Sequence, residues 1–467
     1  MSGEKWMEWC VLTSKKEVLS APPTTTSGAT LPSEGRQSSV ASRRIPPGPE
    51  EKYDPSEDLL GWMDKQFKTY GDIYKASIYG TDVYAIRTPD YAQHVFRGNW
   101  QNYPKGGQAI KRIALLLGNN LIVSDGKFWK KQRRMMQPAF LPSAIGELTG
   151  AITKSNVAMR NRWEQAAKSK QKVNVTRDVS FMVLEVVLTA LFGDDYEQAM
   201  SHFNLLSDEP ARDLQFAQEF RSLGKFVFGL VTQRREQNRH STDILGMLME
   251  ARDRDTGEPM SQRQVVHEIL TLIIAGHETT ASTLNWAWYL LSQHPQVEQR
   301  ISQEVASLSV SDVPSLEDLT KFTYTRQVLE EILRLYPALW LMTRRARRDD
   351  QLGDYFVPAG TEIYIPPYFI QRHPDIWENP NRFDPDRFDP ARSEKRHPVA
   401  TLPFSVGPRN CIGELLARVE MQIHLMTITK HLRLRYEDRT PPEVDAGINL
   451  RSKHDIVMMP ELKALVD

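Results

Sequence analysis

The chain has 467 residues and an ordinary globular composition, long enough to bury a sizeable core. Lysine plus arginine and aspartate plus glutamate both number 59, so no net charge argues for nucleic acid or a membrane surface as partner. The two cysteines, Cys10 and Cys411, exclude a disulfide framework and a zinc site built on several thiolates. The absence of any run of about 18 apolar residues excludes a transmembrane anchor and points to a soluble, cytoplasmic protein.

Met1 to Leu12 is too short and too interrupted for a signal-peptide core, and Ala21 to Ser42 is mostly Ala, Pro, Thr, Ser and Gly. Residues 1–45 therefore read as a disordered tail, which cannot offset its ordering entropy by burial. Pro46-Pro47-Gly48-Pro49 is a stiff entry to a single domain over 46–467. Leu59 to Tyr70 reads as an amphipathic helix, and Asp72 to Arg87 as a hairpin turning near Gly80-Thr81. Helices are expected over Trp129–Met136 and Ala151–Ala167. Val265 to Ser292 is a long apolar helix stopped before Pro295, suited to the middle of the domain. Leu319 to Leu335 is a further helix, halted by Pro337. Val357 to Pro366 is short and β-like, Pro374 to Pro398 an irregular meander, and Glu414 to Leu432 a last long helix. The fold class is mainly α with small β-sheets.

The most informative segment is Phe404-Ser405-Val406-Gly407-Pro408-Arg409-Asn410-Cys411-Ile412-Gly413. Gly407 and Pro408 force a tight loop, and the following helix begins near Cys411, where free N–H groups favour a thiolate. A lone cysteine is more often a small buried apolar residue, but the pattern Phe-x-x-Gly-x-Arg-x-Cys-x-Gly resembles the haem-binding loop of the cytochrome P-450 family. Three further segments match that family in order. Trp129-Lys130-Lys131-Gln132-Arg133 puts Trp and Arg on one helix face. Ala275-Gly276-His277-Glu278-Thr279-Thr280 sets an acid and two alcohols inside an apolar helix, where polar groups are costly without a task. Glu331-Ile332-Leu333-Arg334 pairs opposite charges one turn apart, and Phe383-Asp384-Pro385-Asp386-Arg387-Phe388 resembles the meander that supplies a second arginine.

The resemblance covers the chain from about Pro46 onward. It implies a cytochrome P-450 fold around a buried haem b (iron protoporphyrin IX), with Cys411 as the iron ligand. Trp129, Arg133, Arg344, Phe404, Arg409 and Gly413 are the further cofactor contacts, the arginines reaching propionates. Glu331, Arg334 and Arg387 form a structural ion triad. Glu278 is the acid of a proton relay and Thr279 its alcohol, while Gly276 leaves room for a pocket. Such a relay argues against a peroxide-using enzyme or a turnover-free haem sensor. The activity implied is a haem-thiolate monooxygenase that inserts one oxygen atom from O2 into an apolar small molecule. Ala275, Leu339, Leu341 and Ile448 line the substrate pocket. With no fused reductase, electrons come from NAD(P)H through a separate ferredoxin or flavodoxin and its reductase, docking on Lys130, Lys131 and Arg134. The chain is taken as a monomer.

Overall fold

The structure, a computed structural model, describes residues 44–463 except 55, 203–211 and 309. The tail read over 1–45 lies, but for its last two residues, outside the described residues. Helix α1 (Leu59–Tyr70) starts where Asp58 accepts from the Leu60 and Gly61 N–H groups, satisfying donors a helix start leaves free. Strands β1 (Ile73–Ile78) and β2 (Thr81–Ile86) form the expected hairpin. Its turn is Tyr79-Gly80, both at positive φ, one residue earlier than read. The entry segment lies along β1: Lys75 N donates to Pro47 O at 2.8 Å. A Cβ on Gly48 would sit 1.9 Å from Lys75 O, so only glycine fits there.

Helices α2 (Gln108–Leu117), α3 (Gly126–Met136) and α4 (Thr149–Lys168) follow, then β3 (Val173–Asn174) and α5 (Val175–Phe192). Next come α6 (Arg212–Glu236), α7 (Ile244–Glu250), the central α8 (Gln262–Gln293) and α9 (Pro295–Ser307). The helix expected over Leu319–Leu335 is two, α10 (Leu316–Lys321) and α11 (Thr323–Leu335). The chain breaks at Phe322, which is fully buried in extended-like backbone. The second start is capped from α9: Glu304 accepts from Tyr324 N at 2.7 Å and Thr325 N at 2.9 Å. Periodicity alone runs through such a break because both halves keep one apolar face.

Strands β4 (Met342–Arg345), β5 (Asp350–Leu352), β6 (Tyr355–Val357) and β7 (Glu362–Ile365) follow. The β-like Val357–Pro366 stretch is therefore the end of one strand, a turn with Gly360 at φ +90°, and a second strand. The meander holds only short helical turns at Pro385–Phe388 and Pro390–Ser393. Helix α12 (Glu414–Thr429) is the last, and Leu432, expected inside it, opens β8 (Leu432–Arg435). Strands β9 (Val444–Ala446), β10 (Leu450–Ser452) and β11 (Val457–Leu462) close the chain.

The main sheet runs β1-β2-β7-β4, with β2 and β7 parallel and the outer pairs antiparallel. Alternate residues feed two cores: Tyr84, Ile86, Ile363 and Ile365 on one face, Val83, Ala85 and Tyr364 on the other, the period-two logic of a strand. The helices share a larger core in which α8 packs against α5, and α12 against α4. Among the described residues no helix is long and apolar enough to cross a membrane.

Candidate active site

The loop before α12 is fixed by backbone geometry. Cys411 N donates to Phe404 O at 2.9 Å, and Asn410 N to Gly407 O at 3.1 Å. Gly407 has φ +79°, and a Cβ there would lie 2.1 Å from Phe96 O. Ser405 is also left-handed, at φ +60°, and its buried Oγ has no hydrogen-bond partner. Such strain gathers at functional sites. Gly413 caps α12 two residues after Cys411. Cys411 keeps open surface, although neighbouring protein surrounds its thiol. Burial pushes the thiol's pKa up, while the Gly413 N–H, Arg133 and Lys105 pull the other way.

Beside this thiol the chain buries an excess of positive charge. Arg344, on β4, is 5% exposed and its pKa is pushed down to about 9 by burial and then by Arg409. Its guanidinium lies over Phe96 and donates only to its neighbour Thr343 O. Lys105 is held well below the usual lysine range by burial, and next by Arg344 and Arg409. Burial also lowers Arg409, which pairs with Asp125, donates to Ser124 O at 3.0 Å and stacks 4.3 Å above Trp129. Asp125 is the carboxylate set against them, and Arg347 shares it at 3.3 Å. Buried cations without counter-charge cost several kcal/mol each, so this cluster is complete only with an anion.

Arg133 is engaged by the cysteine loop. It donates to Asn410 O at 2.7 Å, Asn410 Oδ1 at 3.2 Å and Gln137 Oε1 at 2.9 Å. It therefore braces the cysteine loop rather than joining the cluster at Arg344. Trp129 shares its helix face but acts as a platform for Arg409. Phe404 lies under the guanidinium of Arg418, 4.8 Å away.

Glu331, Arg334 and Arg387 meet in a single buried network. Arg334 grips Glu331 at 2.6 and 2.8 Å, and Arg387 reaches it at 3.2 Å. The arginines also donate to the carbonyls of Gln371, Pro380, Glu378 and Asn379. Both arginines thus share one carboxylate and spend their other N–H groups on carbonyls, which lets the charges stay buried.

On the far side α8 carries the other motif. Thr279 Oγ donates back to Ala275 O at 2.7 Å, the bond that bends helices. Glu278 is exposed, and Oε2 accepts from Asn449 Nδ2 at 2.8 Å. His277 points the other way, to Ser180 Oγ and O of α5 at 2.9 and 3.0 Å. Gly276 does not open the expected room: a Cβ there would meet Val187 Cγ2 of α5 at 3.2 Å, so the glycine serves close helix packing. Leu339 and Ile448 are 39% and 53% exposed, and Leu341 lies against the core beyond the sheet. Leu450 N donates to Ala338 O at 2.9 Å, which joins the Leu339 segment to the hairpin of Ile448.

Lys131 and Arg134 are committed within the chain. Arg134 pairs with Asp255 at 2.6 Å, and both approach Asp253 at 3.8 and 3.9 Å. Lys130 lies over Trp100 and stays exposed. Sequence reasoning missed Lys105 and Asn449. Neither stands in a pattern, since each acquires its role only from segments far along the chain.

The sequence profile described as Cytochrome P450 matches residues 52–208 and 198–460. The chain belongs to the cytochrome P450 family. Cyclooctat-9-en-7-ol 5-monooxygenase of Streptomyces melanosporofaciens is 30% identical over 78% of this P450 and 83% of the relative. Pentalenene oxygenase of Streptomyces avermitilis is 29% identical, over 79% and 85% of the two chains. The solved structure of a cyanobacterial cytochrome P450, CYP120A1, with retinoic acid bound superposes with a TM-score of 0.79 at 25% identity, over 90% of this chain and 100% of that one. This P450 is a monooxygenase, an oxidoreductase that uses O2 at a haem iron. Its residues fit that group on their own chemistry: a lone enclosed thiol suits the iron, and the unbalanced cations suit two propionate carboxylates.

Proposed function

We propose that this P450 hydroxylates a largely apolar hydrocarbon substrate, drawing electrons from NAD(P)H through a separate ferredoxin or flavodoxin and its reductase. The observation that carries the reading is the Cys411 thiol beside Lys105, Arg344 and Arg409, three cations set against the single carboxylate of Asp125. The names of relatives support the substrate class, since cyclooctat-9-en-7-ol and pentalenene are by nomenclature hydrocarbon skeletons with at most a hydroxyl group.

In this reading Cys411 Sγ ligates the haem iron. Arg344, Arg409 and Lys105 balance the propionates, with Trp129 steadying Arg409. Gly413 leaves the face behind the ligand free of a side chain; within the protein a Cβ there would meet only Phe140, at 3.9 Å. When bound, haem supplies the activation of O2 and the insertion of one of its atoms into a C–H bond. Glu278 holds and passes a proton at its carboxylate, and the Thr279 hydroxyl, now donating to Ala275 O, is the next donor inward. Ala275, Leu339 and Ile448 are the apolar surfaces that would meet the substrate, with Leu341 behind them against the core. Glu331, Arg334 and Arg387 keep the meander against α11 and so support the cysteine loop.

For the redox partner the expected docking set narrows. Lys131 and Arg134 are neutralised, whereas Lys130 and Arg97 stay exposed, and Arg97 borders a 360 Å³ concavity with Phe404, Asn410 and Arg418 on the outer side of the cysteine loop. The test of the function is turnover of a terpene panel under isotopically labelled O2 with added redox partners. One label in the product and the other in water is expected. Product oxygen drawn from water, or no NAD(P)H-dependent product from any hydrocarbon despite intact thiolate-ligated haem, overturns the reading.

A further inference from the structure

The hairpin β9–β10 is tied to its surroundings mainly through backbone. Leu450 O accepts from Ser282 Oγ at 2.7 Å and Trp286 Nε1 at 3.0 Å, both on α8. Leu450 N donates to Ala338 O at 2.9 Å, and Gly447 O accepts from Trp340 Nε1 at 2.8 Å. Between those fixed points stand two side chains with opposite tasks. Ile448 is large, apolar and 53% exposed, beside the segment that carries the also exposed Leu339. Asn449 is 8% exposed and spends its amide N–H on Glu278 Oε2 at 2.8 Å. A hydrogen bond from a fixed amide to a carboxylate is stronger than one between neutral groups, and it selects one of the many rotamers a glutamate can take.

We propose that Asn449 is a positioning residue that holds Glu278 for proton delivery and, through its neighbour Ile448, couples that geometry to the organic substrate at the hairpin tip. This rests on the reading of Glu278 as the relay acid. A substrate that fits leaves the tip seated and Glu278 in place. One that pries Ile448 outward takes Asn449 with it, because only one peptide bond separates them. The acid is then loose, and O2 that has received two electrons and two protons leaves as hydrogen peroxide. In the seated state one oxygen atom enters the substrate and the other leaves as water.

The test uses haem-loaded full chain with its redox partners, NAD(P)H and a hydroxylated substrate, comparing Asn449→Ala, Asn449→Asp, Asn449→Gln and Glu278→Gln. Aspartate keeps the volume but turns the donor into an acceptor, so it remains informative if alanine fails to fold. Three quantities are read: peroxide formed per NAD(P)H, substrate affinity, and amide hydrogen exchange at residues 448–450 without substrate. Alanine and aspartate should raise the peroxide fraction roughly ten-fold, the scale of one hydrogen bond to a charged group. Haem spectra should hold, substrate affinity should fall slightly because the coupling is reciprocal, exchange at the tip should quicken, and glutamine, which keeps the amide, should recover part of the coupling. If Glu278→Gln uncouples while both Asn449 variants stay coupled, Asn449 does not position the acid, although the reading of Glu278 stands. If Glu278→Gln itself stays fully coupled, the relay reading falls, and this proposal with it.

Discussion

The cysteine loop and the α8 side of the site are built on different principles. Behind Cys411, charge is buried and the supporting groups are held more than once: Glu331 by two arginines, and Arg133 by Asn410 and Gln137. On the α8 side the walls are apolar and open, and the exposed acid is held by one amide. The contrast teaches which side tolerates change. The ligand side keeps one geometry, because a displaced group there leaves a buried charge alone. The substrate side leaves side chains free to meet different molecules.

The sharpest way to break the comparison is at the ion triad. Glu331→Ala strands Arg334 and Arg387 and should cost about 3–5 kcal/mol. Urea unfolding and haem content check it, and a variant that unfolds like the parent with full haem would show the rigid side to be no more fragile than the other. Next, Thr279→Ala on the open side should leave folding and haem content intact while sending most electrons to peroxide. Full coupling in that variant removes Thr279 from the relay. Lys105→Met separates the two costs within the cluster. It should stabilise the haem-free protein, by removing a half-buried cation with no counter-charge among the described residues, and speed haem loss about ten-fold, by removing a propionate contact. Haem transfer to a scavenging globin and melting of the haem-free protein read the two effects.

A smaller effect concerns pH. Burial holds His424 down at about 3 from an ordinary 6.5, and lifts Glu268 to about 7 from 4.5. His424 accepts from Trp288 Nε1 at 2.8 Å and meets Asn156 Oδ1 at 2.7 Å, a pairing that needs the neutral ring. Its contribution is therefore present above pH 6.5 and lost as pH falls toward 3. Glu268 runs oppositely, contributing fully below pH 4.5 and losing it as pH rises through 7. Between those ordinary values the two slopes, each up to about 1.4 kcal/mol per pH unit, offset one another. Glu268→Gln should expose a stability that falls on acidification, and His424→Gln one that falls on raising the pH from 4.5 to 7. Flat profiles in both variants contradict the assignment. Smallest of all, Lys131→Gln should slow electron transfer less than Lys130→Gln, because Lys131 already faces Asp253 whereas Lys130 stays exposed.

The ligand side was the more legible in sequence for a physical reason. Its chemistry is contiguous, since a loop, a cap and a helix start must follow one another to present a thiol. The long helix α8 and the early hairpin were equally readable from periodicity. What the sequence hid is contact between distant segments. Spacing put Trp129 and Arg133 on one face without revealing that Asn410 lies opposite Arg133. It showed Lys131 and Arg134 as basic without showing Asp253 and Asp255 beside them. Gly276 looked like room for a pocket because Val187 is 89 residues upstream. The break at Phe322 and the strands β8 to β11 were missed because short elements carry too few residues for a period to emerge.

The central claim is that Cys411 is the working iron ligand, and the carbon monoxide difference spectrum of the reduced protein tests it most directly. The parent protein should give the strongly red-shifted Soret band of thiolate-ligated haem, and Cys411→Ala should lose it. A band typical of histidine-ligated haem in fully loaded, folded parent protein, or a red-shifted band that survives in Cys411→Ala, would contradict the account.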